Sequence, residues 1–370
     1  MVFTRPLVRW AAAPAVPSIP CNVTSICQDG AATVSWQHAR DNGTAAYEII
    51  AYAAGVPAGP SAVIAAPAAY GTITGLANST AYTFTVKAAN SQGVSAESQQ
   101  SGANTPLANL LFGDDFNGPV IDPAWAVFSR DGDQSNTELE YYLPQQVTLD
   151  GSSNLVLTIA ARTVQAPTYN DANPPTYAGA LVTRSYQSGA VQWAYPGAIA
   201  PAWPAANGFT QRGFNFTYGK VQVSAKMPNM GGAGFQALWM HGSNCQQTTP
   251  LNPDNVGSCS WPAAGSDEID IAEWNVAAVS SYDIRMQSGA NSFGPTTISA
   301  TNADTTYHTY EADWSAGSLS WLLDGSSVAG PASTGVPSTG MTLIIDVATK
   351  ASVTITQPSM FVDWVRVFHN

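Results

Sequence analysis

Glu268, Asp270 and Glu273 stand within six residues of one another in Ser266-Asp267-Glu268-Ile269-Asp270-Ile271-Ala272-Glu273-Trp274. The segment otherwise reads as a β-strand, with Ile269 and Ile271 alternating against Glu268 and Asp270. Continued strictly, that alternation sends Glu273 into the core, where an unpaired glutamate is costly. One extra residue near Ile271-Ala272, a β-bulge, returns Glu273 to the face of the other two. Retaining cleavage of a glycosidic bond asks for such equipment: a nucleophilic carboxylate and a protonated acid about 5–5.5 Å apart across the bond. On a flat strand the two glutamates lie about 13 Å apart at Cα. Long side chains and a curved sheet must close that gap. Asp270 between them can hold or share a proton, and like charges in one site raise at least one pKa, as a general acid requires.

The hexapeptide EIDIAE resembles the bulged catalytic strand of glycoside hydrolase family 16 residue by residue. The resemblance implies Glu268 as nucleophile, Asp270 as its helper and Glu273 as acid/base. The bulged form is typical of the laminarinase-like branch. Further segments resemble that family in its own order over about residues 110–370. They are Asp114-Asp115-Phe116-Asn117-Gly118, Asn136-Thr137-Glu138-Leu139-Glu140-Tyr141-Tyr142, Tyr218-Gly219-Lys220-Val221-Gln222-Val223, His308-Thr309-Tyr310-Glu311, Trp321-Leu322-Leu323-Asp324-Gly325 and Phe361 to Phe368.

The elements that would carry this site are strands. The second part of the chain alternates throughout, with Leu155-Val156-Leu157-Thr158-Ile159 and Leu343-Ile344-Ile345-Asp346-Val347 strongly apolar. Two packed sheets are the natural way to bury them. The resemblance implies an all-β fold, a β-jelly-roll sandwich with a concave catalytic cleft. A long Gly/Pro/Tyr-rich stretch from Ala166 to Asn215 is expected to wall one side.

Before it lies a smaller unit. Ala32-Thr33-Val34-Ser35-Trp36, Tyr47 to Tyr52 and Tyr82 to Lys87 read as short strands of a sandwich, with Trp36 in its core. Gly75-Leu76 followed by Tyr82 resembles the tyrosine corner of a fibronectin type III domain, an immunoglobulin-like β-sandwich. Core packing is expected for Tyr47, Tyr52 and Tyr82. The division reads as a disordered segment over 1–16, a fibronectin-like domain over 17–104, a linker over 105–109 and a catalytic domain over 110–370. The family implies a spacer or interaction role for the first domain.

Sugar binding needs flat apolar faces beside polar groups. Trp239, Trp261 and Trp274 flank the carboxylate strand in sequence. Trp274 follows Glu273, so its indole faces away if the glutamate faces the cleft. By resemblance Asn136 and Glu138 contact the donor-side sugar, and Phe235 replaces a Trp while keeping a stacking face. Other departures are Gly265-Ser266-Asp267 where the family often has Gly directly before the nucleophile, Ala180 where Arg is common, and an unrecognisable Tyr282-Asp283-Ile284-Arg285-Met286-Gln287. The bulged motif favours a β-1,3-glucan such as laminarin. Another β-linked glucan or galactan, transglycosylation on the same residues, and a non-catalytic glycan-binding protein are the other readings. No cofactor is implied for catalysis. A structural calcium on Asp115, Asp363 and a carbonyl near Gly151 is implied by resemblance.

Composition bounds the partners. The 370-residue chain carries a net charge of −12, with only 10% charged residues. Long-range repulsion argues against nucleic acid, anionic membranes and sulfated polysaccharides. A neutral polysaccharide and a monomeric protein are expected. No apolar run reaches a membrane-spanning length, and Met1 to Pro20 is too broken for a convincing signal peptide. The four cysteines fall into local pairs, Cys21 with Cys27 and Cys245 with Cys259, without zinc spacing. Two disulfides are expected, and with them an oxidising, extracellular or periplasmic compartment.

Overall fold

The computed structural model describes residues 15–38, 43–133, 136–170, 176–194, 213–231, 234–245, 259–275 and 278–370, without the side chains of 166–170 and 176–182. Residues 1–14 of the expected disordered segment lie outside these. So do 171–175 and 195–212 of the expected cleft wall. The described residues form strands, with two short 3-10 turns at Pro144–Gln146 and Ser243–Cys245. No helix among them is long and apolar enough to cross a membrane.

The first domain is a two-sheet sandwich. Cys21–Gln28, Ala31–Gln37 and Tyr70–Thr74 face a sheet of Val56–Ala65, Ala46–Ala53, Thr83–Asn90 and Gly93–Val94. Alternation sets its core: Tyr47, Ile49 and Ala51 point inward against Val34, Trp36 and Phe84. Trp36 and Tyr47 pack with ring centroids 5.0 Å apart. The Tyr82 hydroxyl accepts the Ala77 N–H at 3.1 Å, closing the tyrosine corner.

The second domain is a β-jelly roll. Its front sheet runs, edge to edge, through Asn291–Ser299, Ser281–Ser288, Glu268–Glu273, Ala237–Gly242, Met341–Asp346, Ala190–Trp193 and Trp125–Val127, every pair antiparallel. Behind it lie Ser326–Ala332, Ser318–Leu323, His308–Ser315, Gly219–Lys226, Ser359–Phe368 and Leu110–Asp114. Leu238, Met240, Ile269, Ile271, Leu343 and Ile345 of the front sheet meet Val221, Val223, Tyr310, Trp314, Val362 and Val365 of the back sheet in one core. From the expected wall, Val164–Asn170 and Thr176–Arg184 form an antiparallel two-stranded ribbon.

The two domains share backbone and core. Leu110–Asp114 pairs with Ser359–Phe368 on one side and, at Cys27–Gly113, with the first domain on the other. Ile26 is buried in the larger core, while Leu110 belongs to the smaller one. Thr24 Oγ1 donates to Asp122 Oδ2 at 2.7 Å. The Asn104 amide donates to the carbonyls of Ser25 and Gly113 at 2.9 and 3.2 Å. Residues 105–109 are therefore a pinned strap, with the Pro106 carbonyl accepting the Ser79 N–H.

Cys245 and Cys259 form a disulfide with Cα atoms 4.8 Å apart. The expected Cys21–Cys27 bond is corrected: both are thiols, Cys21 exposed and Cys27 buried. They lie on one strand, where six residues span roughly 20 Å. A disulfide bridges Cα atoms only about 4.4–6.8 Å apart.

Candidate active site

The carboxylate strand is prepared by the turn before it. Gly265 has φ +86, in the left-handed region that favours glycine. Its N–H donates to the buried Asp267 carboxylate at 3.0 Å, and Gly242 N–H donates to the Asp267 carbonyl at 2.8 Å. A Cβ on Gly242 would stand 2.2 Å from the Gly265 carbonyl oxygen, so the two backbones need that glycine to meet. The Cys245–Cys259 bond closes the same corner, and the strand begins at Glu268.

The bulge falls where the alternation asked for it. Leu238 pairs with Ala272 and Trp239 with Asp270, leaving Ile271 as the extra residue. The register against Ser281–Ser288 slips between the same neighbours. Ile271 and Ala272 both point into the core. Glu268, Asp270 and Glu273 then all line one cleft of about 420 Å³. The Trp321 indole, rising from the back sheet, donates to the Asp270 carbonyl at 2.8 Å and braces the strand.

Burial is the main electrostatic force on all three groups. It pushes Glu268 up to about 7, with Glu273 repulsion adding to it. It holds Asp270 well above the carboxylate range and raises Glu273, which Lys350 and Arg285 pull back. The Glu268–Asp270 hydrogen bond lowers the first and raises the second. The hydrogen bond therefore favours the protonated form of Asp270 and the ionised form of Glu268. The Trp261 side chain also hydrogen-bonds Glu268, and indole N–H is only a donor. All three carboxyls are thus held above their usual range, Glu273 among them.

The sequence-selected contacts divide. Asn136, Glu138, Phe235, Trp239 and Trp261 line the cleft with the carboxylates. Trp261 is 47% exposed, a face open to a sugar ring. Trp239 donates its indole N–H to Asp346 at 2.7 Å. Glu138 accepts from the Asp133 N–H at 2.6 Å and lies against Glu140, which burial raises well above its range. Phe235 is corrected in part: the Lys350 ammonium sits 3.2 Å from its ring centroid and takes one stacking face. Trp274 is corrected outright. It is 1% exposed, packs on Tyr282 and Tyr310, and donates to the Val279 carbonyl. Following Glu273 along the strand, it points to the opposite face.

Sequence reasoning missed Asp346, Arg285, Gln287, His241 and Lys350, which also line the cleft. Asp346 had a signal: a lone acid in an otherwise apolar strand. The alternation of Asp283, Arg285 and Gln287 was another. Nothing in the sequence marks Lys350, which reaches the cleft from the turn after Met341–Asp346.

The calcium ligands do not fit a cation. Arg366 already answers Asp115 at 3.1 Å, where a metal would need open oxygens. Asp363, raised by burial and by Asp115, has the Ser224 hydroxyl at 3.5 Å. Gly151 holds a left-handed turn, φ +74.

An all-β jelly roll with this carboxylate cleft, behind an immunoglobulin-like sandwich, defines a glycoside hydrolase. Residues 204–366 match the profile of the glycosyl hydrolases family 16, and residues 17–103 match the fibronectin type III domain. The second domain thus carries the family 16 match and the first the fibronectin type III match. A search of curated proteins finds no match. Among solved structures, the LamA catalytic domain of Zobellia galactanivorans is similar at 23% identity and a TM-score of 0.53, covering 70% of this chain and 98% of its own. The laminarinase catalytic domain of Thermotoga maritima matches at 20% identity and 0.53, over 70% and 98%. The endo-β-1,3-glucanase of Pyrococcus furiosus matches at 19% and 0.53, over 72% and 95%.

Proposed function

We propose that the chain is a retaining endo-glycosidase of a neutral β-glucan, with laminarin-type β-1,3-glucan as its substrate. Glu268 attacks the anomeric carbon while Glu273 protonates the departing glycosidic oxygen, giving a glycosyl ester on Glu268. Glu273, now a carboxylate, then takes a proton from water, which attacks the same carbon and frees Glu268. Asp270 holds its proton against Glu268 in the resting state and can relax that grip as the ester forms. The two-carboxylate chemistry needs no cofactor.

The observation that carries this reading is the bulge at Ile271, which brings Glu268, Asp270 and Glu273 to one cleft face. The open indole of Trp261 suits the apolar faces of a neutral sugar. A variant LamA of Z. galactanivorans is described in complex with laminaritriose and laminaritetraose, which supports the choice of glucan. The Cys245–Cys259 bond supports an oxidising compartment, and the reading includes an exported monomer.

Reducing-end release from laminarin, lichenan, xyloglucan and agarose tests it, with Glu268→Gln as the control. Release from laminarin, abolished in the variant, is expected. Release from another glycan alone would replace the substrate, and activity retained by Glu268→Gln would overturn the mechanism.

A further inference from the structure

The corner that leads into the carboxylate strand gathers three groups that bind soft cations. Cys245 ends the turn Ser243–Cys245, Cys259 precedes the strand, and His241 lies on Ala237–Gly242. A ring nitrogen of His241 and the two Sγ atoms all lie within 4.8 Å of one another. His241 Nε2 is buried and has no hydrogen-bond partner among the described residues. A buried polar atom without a partner is costly. With the ring proton on Nδ1, the Nε2 lone pair is free to serve a metal. Register places His241 directly across from Glu268, and His241, Cys259 and Glu268 all line the cleft. Cysteine spacing alone marks no zinc site here. The missing ligand is His241, which only the fold brings to Cys259.

With the disulfide closed, the two sulfurs are spent on each other. A dithiol reductant supplies two electrons and two protons, closes its own disulfide, and leaves Cys245 and Cys259 as thiols. Two thiolates and one imidazole, with water in the fourth position, form a zinc-type ligand set. Zn–S bonds of about 2.3 Å and Zn–N bonds of about 2.0–2.1 Å put such ligand atoms roughly 3.5–3.8 Å apart. From a present span of 4.8 Å the imidazole has only about 1 Å to close, while the unbonded sulfurs part. Calcium and magnesium prefer oxygen, so this set selects a thiophilic ion.

We propose that reduction of the Cys245–Cys259 bond opens a site for a thiophilic divalent cation, zinc above all, on the two thiolates and the His241 imidazole. Binding displaces both thiol protons. Exchange with an oxidised dithiol closes the disulfide again and expels the ion. A cation in this site stands beside Glu268 and draws on its carboxylate, which slows glycan cleavage. That consequence rests on the proposed function, whereas the site itself does not.

Cobalt(II) in place of zinc gives a visible probe, because thiolate ligands give it a charge-transfer absorption. The chain carries Cys21→Ser, which removes the exposed thiol, and is reduced on an immobilised dithiol that is then filtered off. We expect one cobalt per reduced chain, none on the oxidised chain, and displacement by zinc. His241→Ala should weaken binding by about 100-fold or more, since even the partners that orient metal ligands are worth about 10–100-fold. Equal cobalt affinity in His241→Ala overturns the site. So does absent absorption in a reduced chain that keeps its native near-ultraviolet circular dichroism. A reduced chain that loses that signal overturns it as well, because the three ligands then no longer meet. Zinc should slow laminarin cleavage only after reduction, and zinc bound without slowing it would overturn the consequence. Oxidised enzyme silent on every glycan would sink the proposed function and leave the cobalt result standing.

Discussion

Lys350 holds its ammonium 3.2 Å from the centroid of the Phe235 ring, on the cleft wall that also carries Glu273. Phenylalanine lacks the indole N–H of the tryptophan usual in the family, but its ring face still attracts a cation. The contact puts a positive charge on that ring face, in the cleft that Glu273 lines. Burial raises Glu273, and Lys350 is the first influence that lowers it.

Removing that cation favours the neutral form of Glu273. Glu273 then stays protonated to higher pH. Lys350→Met should therefore move the basic limb of the kcat/KM profile upward, measured over about pH 4 to 9. A limb that stays in place would show that Lys350 does not act on the group that limits activity there.

The roles of the two glutamates separate by chemical rescue. Glu268→Ala and Glu273→Ala should each lose activity, the first by about 10⁴-fold or more. Azide added to Glu273→Ala should attack the glycosyl ester and give a product of retained, β configuration. Azide added to Glu268→Ala should fill the vacated space and give the inverted, α product. The opposite pairing of products would exchange the two assignments. Nuclear magnetic resonance of the glycosyl azides reads the configuration directly.

Stability should fall as pH rises. Burial pushes Asp346 up to about 8 and Asp114 up to about 7, against about 3.9 in an unfolded chain. Between these values the folded state binds more protons than the unfolded one. The stabilisation is complete below about 3.9 and is lost as pH climbs through 7 and 8. The melting temperature should drop from about pH 5 to about pH 8. Asp346→Asn, which stays neutral, should flatten part of that slope. A slope of the opposite sign would mean that both carboxyls are ionised in the native state.

The strand, its bulge and the two-sheet core were legible because each follows from alternation. Ile269 and Ile271 must go inward, so Glu273 cannot follow strict register without being buried. The tyrosine corner was legible for a similar reason, since Tyr82 carries one obligatory hydroxyl partner. What sequence could not supply was approach across the cleft. Lys350 and Phe235 are 115 positions apart, and nothing local says that one covers the other. Cys21 and Cys27 misled because closeness in sequence is distance along an extended strand. Asp115 misled because its partner, Arg366, arrives from the far end of the chain.

That ion pair makes a simple test of the metal. With a guanidinium already on Asp115, a calcium chelator should leave the melting temperature unchanged. A drop reversed by added calcium would restore the site, and would require Arg366 to swing away from Asp115.

The shared core between the domains makes a stronger demand. Ile26 belongs to the first domain by sequence, yet it is 1% exposed within the core of the second. Truncating such a side chain costs about 2–5 kcal/mol. A tethered spacer could lose that energy without consequence for the active site. Here Asn104 and the Cys27–Gly113 pairing join Leu110–Asp114 of the sheet behind the cleft, and Thr24 joins the turn before Trp125–Val127. Ile26→Ala should lower the midpoints for thermal loss of structure and of glycan cleavage together, in one transition. Thr24→Val, which leaves the Asp122 Oδ2 atom without its 2.7 Å donor, should do the same by about 1–3 kcal/mol. A calorimetric trace in which the first domain melts alone, with cleavage persisting above that temperature, would return it to the role of a spacer.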